Sequence, residues 1–238
     1  MSFFPLPHIE DSPKRIRVYI AGVCIVDTRH AKLVWEHAHY PNYFFPEVDL
    51  PNWYLSIPTA SPDVASYDLW IGLRGAPKTI TRYLTGPLAG LFTIKFSDMD
   101  AWFEEDEQIY VHPRDPYKRV DVLQSSRHIR IEANGIEIAN TRAPRLLFET
   151  GLPVRTYIAK TDCRLDLLEP SELTTECPYK GKANYYHVQL ESGRFENVVW
   201  WYPNTTAECS LIRGYVAFYD EKVDVWVDSE KQEKPGSK

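Results

Sequence analysis

The sequence is short of basic charge, long apolar runs and paired cysteines, and each shortage excludes a class of protein. Its 27 Lys and Arg against 33 Asp and Glu leave a formal net charge of −6. Nucleic-acid binders neutralise phosphates with a basic surface, so no nucleic-acid partner is expected, although a local basic pocket remains compatible with this balance. No apolar run approaches the ~20 residues of a membrane-spanning helix, so no membrane partner is expected either. The opening MSFFPLPHIEDSP has neither the basic head nor the apolar centre of a secretory leader. Cys24, Cys163, Cys177 and Cys209 form no C-x-x-C pair, so no cysteine-built metal site is expected. Scattered, reduced thiols fit a cytoplasmic location. The sequence also lacks a glycine-rich phosphate loop, G-x-S-x-G, H-E-x-x-H and G-x-G-x-x-G, and it implies no cofactor. Helical periodicity is scarce, with AKLVWEHA and PRLLFETG each predicting a turn or two of helix.

What is present is β-forming. Eighteen prolines and eleven glycines cut the chain into short runs rich in Val, Ile, Tyr, Phe and Trp. IRVYIAGVCIV reads as two strands joined at Ala21-Gly22. IRIEANGIEIA reads the same way around Asn134-Gly135, a hairpin pair suited to two successive positive φ angles. The class is mostly β. The chain also repeats itself: residues 16–49 lie on residues 129–162 without a gap, through pairs such as Arg17/Arg130, Gly22/Gly135, Thr28/Thr141 and Glu36/Glu149. GLFTIKFSDMDAW lies on GYVAFYDEKVDVW through Gly90/Gly214, Asp100/Asp224 and Trp102/Trp226. This predicts two tandem domains of small antiparallel sheets, each with a short helix. Residues 1–14 read as an N-terminal extension, 15–118 as the first repeat, 119–228 as the second and 229–238 as a polar tail. The repeats differ in the middle, where only the second carries TECPYKGKANYYHV.

The strings LLFETGLPVRTYIAKTDCRLDLLEPSELTTECPYKGKANYYHV and WWYPNTTAECSLIRGYVAFYDEKVDVW, with HPRDPYKRVDVLQSSRHIRIEANG before them, resemble the domain-of-unknown-function family numbered 427, whose label is nucleotidyltransferase-like. The resemblance covers nearly the whole chain and fits the tandem form. It implies a β-tent fold, two small sheets leaning together, and no established activity. The family pattern R-Y-Y-x-P stands here as Arg155-Thr156-Tyr157-Ile158-Ala159, which departs from it at Thr156 and Ala159.

Several groups are candidates for chemistry. Cys177, Tyr179 and Lys180 lie within CPYKG: the lysine suits an anion or a thiolate, the phenol suits proton donation, and the thiol suits nucleophilic attack. The same residues also fit a buried thiol, a proline-shaped turn and a solvated lysine. Arg155 and Tyr157 share one face of an extended run, an arrangement that suits a carboxylate or phosphate. Trp201, among the aromatics, is a candidate wall for a ligand, and equally a core residue. His112 is a candidate acid or base, with Arg114 beside it as a substrate contact; both also fit a stiff linker. Asp98 and Asp100 have a spacing that could share a divalent metal, and also that of an acidic hairpin turn. The leading expectation is a pocket in the second repeat, open towards the interior of the tent, for a small anionic or carbonyl-bearing molecule, with Cys177, Tyr179, Lys180 and His112 as catalytic candidates. Alanine at Arg155 or Lys180 is expected to weaken the ligand and leave melting nearly unchanged. Metal-dependent nucleotidyl transfer and a noncatalytic protein-binding scaffold are the alternatives. The oligomeric state is left open.

Overall fold

The computed structural model describes residues 4–235, and its contacts divide the chain between Asp115 and Pro116 into two units. The first unit contains β1 (His8–Asp11), β2 (Ile16–Ile20), β3 (Val23–Thr28), β4 (Lys32–Trp35), β5 (Asn42–Pro46), β6 (Thr59–Ala60), β7 (Val64–Ile71), β8 (Arg74–Tyr83), β9 (Leu91–Ile94), β10 (Ala101–Glu104) and β11 (Glu107–Ile109). They form a seven-stranded sheet, β1-β4-β5-β9-β8-β7-β6, and a four-stranded sheet, β11-β10-β2-β3. The second unit contains β12 (Val120–Gln124), β13 (Ile129–Ala133), β14 (Ile136–Thr141), β15 (Arg145–Glu149), β16 (Arg155–Ile158), β17 (Leu168–Cys177), β18 (Gly181–Leu190), β19 (Gly193–Trp201), β20 (Val216–Phe218), β21 (Asp224–Val227) and β22 (Glu230–Lys231). Its sheets run β12-β15-β16-β20-β19-β18-β17 and β14-β13-β21-β22. The two orders correspond strand for strand, and the pairing is antiparallel throughout both units.

The duplication extends to register. Ile16 faces Thr28 as Ile129 faces Thr141, and a bulge falls after Val18 and after Ile131, its counterpart. Both tight turns carry the two positive φ angles that their sequences imply, 49° and 76° at Ala21-Gly22 and 48° and 76° at Asn134-Gly135. The two units fall out of step by one residue before their closing strands. Val18 pairs with Trp102, whereas its counterpart Ile131 pairs with Val225. The structural counterpart of Trp102 is therefore Val225, and that of Phe103 is Trp226. The connection from β20 to β21 is one residue shorter than that from β9 to β10, and the gapless match slips there.

The expected short helices are absent at both places. Lys32–Trp35 and Arg145–Glu149 are strands, and the helical turns among the described residues are 3-10 turns of three residues. The reason is burial on two faces. Leu33 joins the core between the sheets while Val34 joins a separate cluster with Phe44, Leu88 and Leu91. A strand covered on both sides reads as a continuous apolar run, which periodicity alone does not separate from a helix. Within residues 1–14, β1 pairs with β4, and within residues 229–238, β22 pairs with β21. No helix among the described residues is long and apolar enough to cross a membrane.

The same two-faced burial organises the second unit. Alternation along β16, β19 and β20 sends Ile158, Val199, Val216 and Phe218 to a core shared with Ile129 and Ile131 of the small sheet and with Val223, the residue before β21. It sends Tyr157, Trp200 and Ala217 to the opposite face, with Leu147, Tyr185, Tyr202, Cys209 and Ile212. The site lies on this second face.

Candidate functional site

β17 and β18 are joined by a tight hairpin in which Cys177 pairs with Gly181, leaving residues 178–180 as the connection. Gly181 has φ +104°, and a Cβ there would lie 2.9 Å from the backbone oxygen of Asn204. Only glycine fits this backbone and this approach. The hairpin is held to the 203–206 loop by Thr206 Oγ1, which donates to the Tyr179 carbonyl at 2.6 Å. The turn thereby aims Lys180 back over the sheet.

There Lys180 Nζ donates to Glu149 Oε2 at 2.5 Å, with 13% and 6% of the two side chains exposed. Lys118 Nζ lies 3.7 Å from the other Glu149 oxygen. Burial works against the Lys180 charge, but the neighbouring Cys177 and Glu149 outweigh it and hold the ammonium above its usual range. On β16, the strand next to β15, Arg155 grips Glu221 through both terminal nitrogens, at 2.8 and 3.2 Å, and reaches Asp220 at 3.5 Å. Its guanidinium also lies 5.6 Å from the Trp200 ring. Between these two cations is a hollow of about 180 Å³, lined by Tyr157, Tyr185, Trp200, Tyr202 and Tyr219 together with Glu149, Arg155 and Lys180.

Tyr157, Tyr202 and Tyr219 are protonated donors. Burial raises Tyr157 and Tyr202 well above the ordinary phenol range and Tyr219 to about 12. Trp200 Nε1 donates to Tyr157 Oη at 3.1 Å, which leaves the Tyr157 proton for another acceptor. Cys209 is fully buried beneath this face, and burial pushes its thiol up as well.

The structure brings Arg155, Tyr157 and Lys180 together, but on the face of the large sheet turned away from the small one, so the hollow does not open into the tent interior. The remaining candidates lie elsewhere. Tyr179 is buried at the hairpin, with the Lys118 ammonium 5.6 Å from its ring, and is not among the lining residues. Cys177 ends β17, half-buried, outside the lining set but close enough to bear on the Lys180 charge. Trp201 alternates to the other face, where it stacks on Tyr186 at 6.0 Å and takes the Lys160 ammonium 3.2 Å from its ring centre. His112 and Arg114 belong to the first unit, whereas every lining residue belongs to the second. His112 Nδ1 donates to the Pro113 carbonyl at 2.7 Å and the ring stacks on Tyr40 at 4.1 Å. Asp100 caps a hairpin, accepting the Ala21 N–H at 2.6 Å. No grouping of three or more His, Cys, Asp or Glu fit to hold a metal occurs among the described residues.

Sequence reasoning missed Glu149, Glu221, Tyr185 and Tyr219 as lining residues or partners, and took Trp200 and Tyr202 only as aromatics that serve as core or as pocket wall. Alternation along a strand could have placed Tyr202 beside Trp200. Nothing local links Glu149 to Lys180 or Glu221 to Arg155, since each pair meets only through sheet order.

The first unit keeps the frame and loses the chemistry. The register puts Asn42, Phe44 and Thr81 where the second unit has Arg155, Tyr157 and Trp200. Glu36, the counterpart of Glu149, accepts instead from Tyr83 Oη at 3.0 Å. The chain is therefore a tandem antiparallel β protein in which the second unit carries two cations and an aromatic hollow on a face where the first has Asn42, Phe44 and Thr81. It belongs to the family described as Domain of unknown function (DUF427), whose model matches residues 8–67 and 121–229, one segment in each unit. No curated protein matches it.

Proposed function

We propose that the second unit binds a small carbonyl-bearing molecule in the hollow formed by Arg155, Tyr157 and Lys180. The observation that carries this reading is the convergence of two cations and several protonated phenols on one concave aromatic face. About 180 Å³ is room for roughly six waters at the ~30 Å³ each takes in the liquid, enough for a compact metabolite of one ring or a short chain. Both cations already have carboxylate partners, so a bare anion would compete with Glu149 and Glu221. A carbonyl oxygen needs only a donor, and Tyr157 supplies one without disturbing either ion pair. This favours the carbonyl over the anion as the group recognised.

The ligand is identified by native mass spectrometry of the purified protein, and its affinity is then measured by calorimetry. Tyr157→Phe keeps the ring and removes the donor. Loss of one hydrogen bond of ~1.4 kcal/mol weakens binding about tenfold. Equal affinity in Tyr157→Phe and wild type would remove the phenol from the site.

A further inference from the structure

The second unit has another cavity, of about 230 Å³, on the opposite face of its large sheet. Ile129, Val225 and Val227 of the small sheet face Leu146, Phe148 and Thr156 of β15 and β16 across it. Asp220 stands in its wall, and Gln232, Glu233 and Pro235 form one side.

The first unit shows what this space can hold. Trp102, the counterpart of Val225, is only 2% exposed. Its ring stacks on Phe96 at 4.7 Å and on Tyr43 at 6.4 Å, and Nε1 donates to the Phe96 carbonyl at 3.1 Å. The Tyr43 position is Thr156 in the second unit, since Leu33 pairs with Tyr43 as Leu146 pairs with Thr156. The Phe96 position is Asp220, because Lys95 N–H donates to Thr79 as Tyr219 N–H donates to Val198, one residue earlier in each unit. Three stacked aromatic side chains in one repeat thus correspond to a valine, a threonine and an aspartate in the other. The walls around them are retained: Ile16 and Leu33 correspond to Ile129 and Leu146. Interiors are close-packed, so removing an indole, a phenol and a phenyl ring from otherwise preserved walls leaves a cavity of matching shape.

We propose that this cavity is a binding site for a flat, indole-sized aromatic or heteroaromatic molecule whose N–H points to Asp220. The ligand takes the place that the Trp102 side chain fills in the first unit. Valine and isoleucine side chains clasp its faces, and Asp220 accepts the ring N–H as the Phe96 carbonyl accepts that of Trp102. The two hollows share one group, since Asp220 also takes Arg155 Nη1 at 3.5 Å, while the aliphatic walls that hold the ring belong to this cavity alone.

Indole is the probe, and methyl NMR of the full chain labelled at Ile, Leu and Val is the readout. Saturable shifts are expected at Ile129, Leu146, Val223, Val225 and Val227, with none at Leu147, which packs on the other face of the sheet. Val225→Trp restores the first unit's plug and is expected to weaken indole at least tenfold. Leu146→Phe narrows the cavity from the opposite sheet and gives a second route to the same result if the tryptophan variant fails to fold. No saturable shift up to millimolar indole, shifts centred on Leu147, or unchanged affinity in a folded plug variant would each overturn the proposal.

Discussion

Lys180 and Glu149 form the most buried ion pair of the hollow, with 13% and 6% of their side chains exposed, and this changes what substitution does. Lys180→Ala leaves a carboxylate inside the protein with only Lys118, at 3.7 Å, to answer it. Breaking a buried pair from one side costs several kcal/mol, and Lys118 moderates the loss to ~2–3 kcal/mol. Nearly unchanged melting, as the sequence suggested, is therefore not expected. A Lys180→Met, Glu149→Leu double variant removes both charges and regains most of the loss in urea unfolding; equal loss in the single and double variants would contradict the pairing. Asp220 gives a pH signature. Burial raises its carboxyl from 3.8 to about 6, with Arg155 pulling it down and Glu221 pushing it up. A carboxyl with a higher pKa in the folded chain holds its proton more tightly there. Its contribution is full below about pH 3.8 and is lost as pH rises through about 6. Asp220→Asn should remove that decline from a plot of unfolding free energy between pH 4 and 6.5, and an identical slope in both proteins would show that the site does not titrate there. Arg155 and Tyr157 were legible as one-face neighbours because strand alternation is local. Glu149 and Glu221 were not, because their partners arrive from strands distant in sequence.

Among the elements, the β17–β18 hairpin does most to position the site. Gly181→Ala puts a side chain at φ +104° and 2.9 Å from the Asn204 carbonyl oxygen. Strain of this kind costs ~1–3 kcal/mol, or the turn shifts and carries Lys180 away from Glu149. Thermal unfolding, with the Lys180 ammonium followed by NMR, distinguishes the two outcomes. Wild-type stability with the Lys180 contact intact would mean that the close approach is not a constraint. The Ala21-Gly22 and Asn134-Gly135 hairpins were readable because their turn chemistry sits in two adjacent residues. β4 and β15 were not, because consecutive buried residues such as Leu33 and Val34 serve two different clusters, and an apolar run carries no record of which face each residue takes.

At the scale of the molecule, one β unit occurs twice and has diverged on both faces of its large sheet. On one face Asn42, Phe44 and Thr81 stand against Arg155, Tyr157 and Trp200. On the other Tyr43, Phe96 and Trp102 stand against Thr156, Asp220 and Val225. On the second of these faces the first unit is filled with its own stacked rings where the second unit is open. The gapless match of residues 16–49 with 129–162 showed the repeat. The one-residue slip between Trp102 and Trp226 hid the second difference, because in a strand a shift of one residue exchanges the faces. The most direct measurement of the central claim is a crystal structure of the protein bound to the ligand that native mass spectrometry identifies. The account predicts the ligand in the second unit, its carbonyl oxygen within hydrogen-bond distance of Tyr157 Oη and between Arg155 and Lys180. A ligand seated on the first unit, or an aromatic face of the second left untouched, would contradict it.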